Sequence, residues 1–276
     1  MDDKNLRTYF AELVGTFAFV FISAGAILAS ALGGLQPPSV AIALATGFMY
    51  AVVLAITLPI SGGFLNPAIV VTLWVFRRMS GMRAVGLICS QLLGAVLAGL
   101  LLRVFPFRED VFTVTRLGTP HLNLTAFAVS GISMATLVKG IAIEGALTFL
   151  LMFAAIAVTL DPRASRWLGS WASRTPALWL GLILVALTIV GFPLTGAALN
   201  PARWLGPVIA EFTVEPLQMQ KPFADNPIYW IGPTAGALLA GWVYNALVLT
   251  PEEEDAVPGV MLPGGTPTLA SARVRK

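Results

Sequence analysis

Ser61-Gly62-Gly63-Phe64-Leu65-Asn66-Pro67-Ala68 returns 134 positions later as Thr195-Gly196-Ala197-Ala198-Leu199-Asn200-Pro201-Ala202. The match continues outward on both sides. Glu12 followed by Thr16-Phe17 answers Glu144 followed by Thr148-Phe149 at an offset of 132, and Gly94-Ala95-Val96-Leu97-Ala98-Gly99 answers Gly236-Ala237-Leu238-Leu239-Ala240-Gly241 at an offset of 142. The chain is a duplication, with repeats at about 8–105 and 135–250. In both copies Asn directly precedes Pro, which is the grammar of a helix start. The Asn side-chain oxygen accepts a backbone N–H, and Pro takes the first helical position, where no hydrogen bond is lost.

Around these boxes the chain is too apolar for water. Hydrophobic residues make up 57% and charged residues 11%, and no Asp, Glu, Lys, Arg or His lies between Leu13 and Phe76, a composition that places the chain in a bilayer. Windows of about 20 apolar residues, enough to cross roughly 30 Å of hydrocarbon, lie near Tyr9 to Ala29, Val40 to Ile60, Ala84 to Leu102, Ala135 to Thr159, Ala177 to Leu194 and Ile228 to Leu249. Phe64 to Phe76 and Asn200 to about Ala210 are too short to cross and predict re-entrant segments. As one helix, Val40 to Phe76 would reach roughly 55 Å; Pro59, Gly62, Gly63 and Pro67 break it. Each repeat holds three full spans, an odd number, so the second copy runs through the membrane upside down relative to the first. The expected fold is an all-α membrane protein: six transmembrane helices plus two re-entrant half-helices in an inverted repeat.

The channel domain on this reading is residues 1–250. The tail 251–276 mixes Pro, Gly and charge with little apolar content and is expected to be a disordered cytoplasmic segment. The amino-terminal stretch has no small-residue cleavage site and does not read as a removable signal peptide. With the amino end inside, inner segments carry eleven Lys and Arg residues and outer loops five, which predicts a multi-pass protein of the cell membrane with both termini cytoplasmic. A net charge of +3 is too small and scattered to imply nucleic acid, and a single cysteine, Cys89, excludes an intrachain disulfide framework and a cysteine-based metal cluster. No metal or cofactor is expected.

Two half-helices entering from opposite faces bring their amino ends together near the midplane. Each macrodipole places roughly half a positive charge there, and the Asn66 and Asn200 amide N–H groups are left to point at whatever passes. A positive, donor-bearing constriction suits a neutral oxygen acceptor and repels cations, protons included.

The paired Asn66-Pro67-Ala68 and Asn200-Pro201-Ala202 boxes, Glu12 and Glu144 early in the first and fourth spans, and Arg203 after the second box resemble the aquaporin and glycerol-facilitator (major intrinsic protein) family over about Ala11 to Val248. The resemblance implies one pore per subunit, a homotetramer, and passive passage of water or small uncharged solutes. It also implies that Glu12 and Glu144 brace the re-entrant loops, and that Thr46, Thr188, Ala197 and Arg203 form the outer selectivity filter. Strict water channels usually place an aromatic and a His at the first two of those positions, and glycerol facilitators usually place aromatics at two of the four. Neither pattern holds here, so two hydroxyls and a methyl predict a wider, polar opening. Trp204, Val208 and the Tyr229-Trp230 pair depart from the glycerol type. The combination reads as a water-type scaffold with a widened filter, passing water plus a solute such as urea, ammonia, glycerol, peroxide or a metalloid hydroxide.

His121, the only histidine, falls in the long outer loop and is expected to be exposed and idle. Cys89, in the third span, is expected to be a small buried residue, and Gly94, Gly99, Gly236 and Gly241 to mark close helix contacts. Two other classes remain to be weighed. A secondary transporter of a small solute shares inverted repeats and broken helices, but needs ionisable or cation-coordinating groups at midplane, and no carboxylate neighbours Asn66 or Asn200 in sequence. An intramembrane hydrolase needs a nucleophile with a positioned base, and the lone His lies in a loop, so no enzyme is expected.

Overall fold

In the computed structural model, residues 3–33, 38–161, 163, 175–212 and 221–249 are described. The tail 251–276, read above as disordered, lies outside the described residues, as does most of the inner loop around Arg166 and Arg174. Long apolar helices appear where hydropathy placed them: α1 (Asp3–Gly33), α2 (Pro38–Thr57), α4 (Gly81–Val104), α6 (Met134–Thr159), α7 (Pro176–Thr195) and α9 (Asn226–Val243). A π-helical turn, Tyr244–Val248, extends the last of them. All six are long and apolar enough to cross a membrane. Large side chains such as Phe10, Phe48, Ile56, Val190 and Trp242 are exposed on the surface of the chain, as expected of helices with an apolar surround.

The short segments are α3 (Pro67–Val75) and α8 (Pro201–Glu211). Each starts as the Asn-Pro grammar requires, with extended backbone at Asn66 and Asn200 and the Asn side chain accepting from the N–H two residues on, Ala68 or Ala202. Neither continues into the preceding long helix. The loop between α4 and α6 contains an element the sequence did not announce, α5 (Glu109–Thr115), followed by a 3-10 turn at Arg116–Gly118.

Helix partners exchange under the repeat. α1 packs on α4 as α6 packs on α9, α2 meets its counterpart α7, and each half-helix lies against the last long helix of the opposite repeat, α3 on α9 and α8 on α4. The glycines make this closeness possible. A Cβ on Gly94 would collide with the Leu13 carbonyl of α1, and one on Gly236 with the Gly145 carbonyl of α6, the equivalent crossings of the two repeats. With no net hydrophobic drive between helices in lipid, this backbone approach and its dispersion contacts carry the association.

Gly236→Val forces the α6–α9 crossing apart. Overpacking of this kind costs about 1–3 kcal/mol or more, so the variant's unfolding midpoint in detergent falls well below the parent's; an unchanged midpoint would show that the crossing is not close-packed.

Candidate functional site

The site is built from two loops that precede the half-helices and share one backbone conformation. Gly62, Gly63 and Leu65 have φ of 105°, 61° and 51°, and their repeat counterparts Gly196, Ala197 and Leu199 have 76°, 48° and 52°. A non-glycine residue in the left-handed region costs of order 1–3 kcal/mol and persists only where its surroundings over-determine it. Here the surroundings are two fully buried carboxylates. Glu12 Oε1 accepts from Phe64 N at 2.9 Å and Ser61 Oγ at 2.6 Å, and Oε2 from Leu65 N at 2.7 Å and Gln91 Nε2 at 2.7 Å. In the other repeat Glu144 Oε1 accepts from Ala198 N at 3.1 Å and Thr195 Oγ1 at 2.6 Å, and Oε2 from Leu199 N at 2.7 Å. In both repeats one carboxyl group accepts from two successive backbone N–H groups and a hydroxyl. Ser61, Thr195 and Gln91 belong to this bracing set, and the Ser61/Thr195 correspondence across the repeat was the signal available for the first two.

The left-handed turns aim the Leu65 and Leu199 carbonyls across the centre of the protein. Asn66 Nδ2 donates to Leu199 O at 2.9 Å, and Asn200 Nδ2 donates to Leu65 O at 2.8 Å. The two boxes are joined tip to tip. This corrects the expectation that the amides are wholly free: an amide nitrogen carries two N–H groups, and one of each pair is spent on the opposite loop. The fixed amide is thereby pre-oriented, held at its oxygen by the helix start and at its nitrogen by the facing repeat.

On one side of this junction lies a cavity of about 250 Å³ between the first box loop, α2, α3, α6 and α7. Leu54, Phe64, Ile69, Met152 and Ile156 give it apolar walls, and it reaches Thr159 and Leu160 at the end of α6. The residues expected at the outer filter come from α2, α7, the second box loop and α8. Thr46 and Thr188 are buried on α2 and α7, and the Thr188 hydroxyl has no partner among the described residues. Ala197 sits in the left-handed stretch. Arg203, 3% exposed, does not reach for an interface; its guanidinium donates to the Gly118 carbonyl of the outer loop at 3.0 Å. Gly118 joins the site through this bond, and the buried hydroxyl of its neighbour Thr119 has no partner among the described residues. Behind Arg203, Trp204 is fully buried, stacked on Tyr229 with ring centroids 5.5 Å apart, and the Tyr229 hydroxyl donates to Thr195 O at 2.8 Å.

Two expectations fail. His121 is not exposed: its side chain is 8% accessible and its ring lies between Glu211 and Asp225. Those partners are 90 and 104 residues away in sequence, beyond the reach of local pattern. Cys89 is exposed rather than buried, on the outer side of α4.

Glu144→Gln replaces one acceptor oxygen of the second brace with a donor facing backbone donors. Each buried N–H left unpaired costs about 1–3 kcal/mol, so the variant accumulates to a lower level and unfolds at lower temperature. Normal yield and thermal stability would contradict the bracing role.

The comparisons with known proteins agree with this geometry. The Major intrinsic protein family model matches residues 2–244. Aquaporin TIP4-4 of Zea mays is 33% identical over 258 residues, covering 92% of this chain and 91% of that protein, and probable aquaporin TIP3-2 of Arabidopsis thaliana is 32% identical over 256 residues, covering 89% and 85%. Among solved structures, the aquaglyceroporin from Plasmodium falciparum superposes with a TM-score of 0.70 at 21% identity, covering 88% of this chain and 97% of that one, a likeness of fold. Six membrane helices, two opposed Asn-Pro half-helices and a match over nearly the whole sequence lead to one assignment: the chain belongs to the major intrinsic protein family.

Proposed function

We propose that this passive membrane channel for water and small uncharged solutes is a water-type scaffold with a widened outer opening, set by Thr46, Thr188, Ala197 and Arg203. The observation that carries the reading is the reciprocal pair of bonds from Asn66 to Leu199 O and from Asn200 to Leu65 O. It fixes two amide donors and two helix amino ends at one place, where a neutral oxygen acceptor is favoured and a cation is repelled. The hydroxyl of Thr188, buried without a partner among the described residues, is a group that a passing solute can satisfy. Urea, glycerol, ammonia, peroxide and metalloid hydroxides share the needed chemistry: small, uncharged and rich in hydrogen-bonding groups.

Glu12 and Glu144 support a channel over a coupled transporter. Both are engaged by backbone N–H groups of the box loops, which makes them braces rather than ion-coupling sites. The family is one of channels rather than enzymes. The excess of Lys and Arg in the inner segments supports both termini in the cytoplasm. A homotetramer with one pore per subunit follows from the family resemblance.

Stopped-flow light scattering of reconstituted vesicles under water, urea and glycerol gradients tests the wide filter. The parent passes urea and glycerol faster than protein-free vesicles do, and Thr46→Phe loses glycerol first, by about tenfold or more, the equivalent of ~1.4 kcal/mol of barrier, while keeping water flux. A parent that conducts water fast and excludes both larger solutes contradicts the proposal.

A further inference from the structure

One strap of the outer loop, residues 116–122, touches Arg203 at one point and a buried charge cluster at another. Arg116 Nε pairs with Glu211 Oε1 at 2.6 Å, His121 Nε2 lies 2.9 Å from Glu211 Oε2, and His121 Nδ1 lies 3.1 Å from each Asp225 oxygen. Asp225 Oδ2 also accepts from Leu122 N at 2.9 Å. Between these anchors the strap presents the Gly118 carbonyl to Arg203 and lays Pro120 against Gly196, the residue preceding Ala197. None of the cluster was part of the family reading.

We propose, on the channel reading above, that the His121 imidazolium, clamped between Glu211 and Asp225, is a positioning residue that holds the Gly118 carbonyl on Arg203 and so fixes the width of the outer opening. Ring chemistry comes first. Only a doubly protonated ring donates at both nitrogens; a neutral ring presents a lone pair to one of two carboxylates whose side chains have no exposure. Charge balance comes second. Among the described residues, Glu211 at the end of α8 and Asp225 before α9 face Arg116 from the end of α5 and His121 from the strap, so acidic and basic side chains alternate. Loss of the His121 proton removes one of the two ring N–H donors that tie the strap to these carboxyl groups, which frees the strap to move. Connectivity comes third, because residues 116 and 121–122 are the strap's attachments and Gly118 lies between them.

The titration follows in sign. Burial by itself pulls the imidazolium down, but hydrogen bonds and charge from Asp225 and Glu211 outweigh it, so His121 titrates above 6.5. A histidine with a raised folded pKa contributes stabilisation that is complete below its unfolded value and lost as pH rises through the folded one. The clamp is closed below the folded pKa of His121 and releases as pH rises through it.

The test measures urea-to-water permeability in proteoliposomes from about pH 6 to about pH 10, across the histidine range and beyond, for the parent, His121→Gln and His121→Lys. NMR of the full-length parent follows the one histidine of the chain over the same range. The parent ratio is low below the His121 titration and rises on the order of fivefold, the low end of coupling between linked sites, as the His121 signal titrates. His121→Gln holds the high ratio at every pH, and His121→Lys, a permanent cation over most of the range, holds the low one. A parent ratio that stays flat to the top of the range, or an equal rise in His121→Gln, overturns the proposal. The parent profile decides alone if the variants do not fold. Water flux above that of protein-free vesicles near pH 6 separates the readings: its absence fails the channel, whereas normal flux with a flat ratio fails the clamp only.

Discussion

The structure depends on a reciprocal exchange at its centre, in which each box asparagine donates across the repeat boundary to the carbonyl just before the other. A buried amide or carbonyl left without a partner, whether from the protein or from the path, costs several kcal/mol. The exchange satisfies two carbonyls and two amides at once. It also places both helix amino ends at the same depth, where their dipoles add. The permeation property and the folding requirement are therefore carried by the same bonds.

That exchange needs left-handed backbone at Leu65 and Leu199, a conformation neither leucine adopts unaided. Glu12 and Glu144 supply what the leucines lack, each drawing two successive backbone N–H groups onto one carboxylate. An ionisable group inside an apolar helix is expensive, and its retention here has a geometric reason. The outer end uses the same device in a different place: Asp225 and Glu211 hold the strap that meets Arg203. Asp225 grips backbone at Leu122 N, as Glu12 and Glu144 do at the box loops, whereas Glu211 acts through the Arg116 and His121 side chains.

Much of this was legible in the sequence because the relevant signals are local. Hydropathy located the long helices to within a few residues, and Asn-Pro marked both half-helix starts, since helix capping uses only neighbouring groups. Glu12 and Glu144 stood out as ionisable residues within apolar runs. The outer loop was not legible. His121 meets its partners only after α8 and α9 are placed, and Gly118 and Thr119 have no pattern that distinguishes them from other loop residues. Cys89 was misjudged for a related reason: on a helix that is apolar all round, sequence shows membrane burial but does not separate a lipid-facing side from a protein-facing one.

Paired proton and water flux measurements on reconstituted parent protein and Asn200→Asp test the central claim most directly. The substitution removes the amide that donates to Leu65 O and sets a carboxylate where the two dipoles meet. The account predicts a parent that passes water with no proton leak above protein-free vesicles, and a variant that leaks protons or other cations. A parent that conducts protons, or a variant as proton-tight as the parent at undiminished water flux, would contradict it.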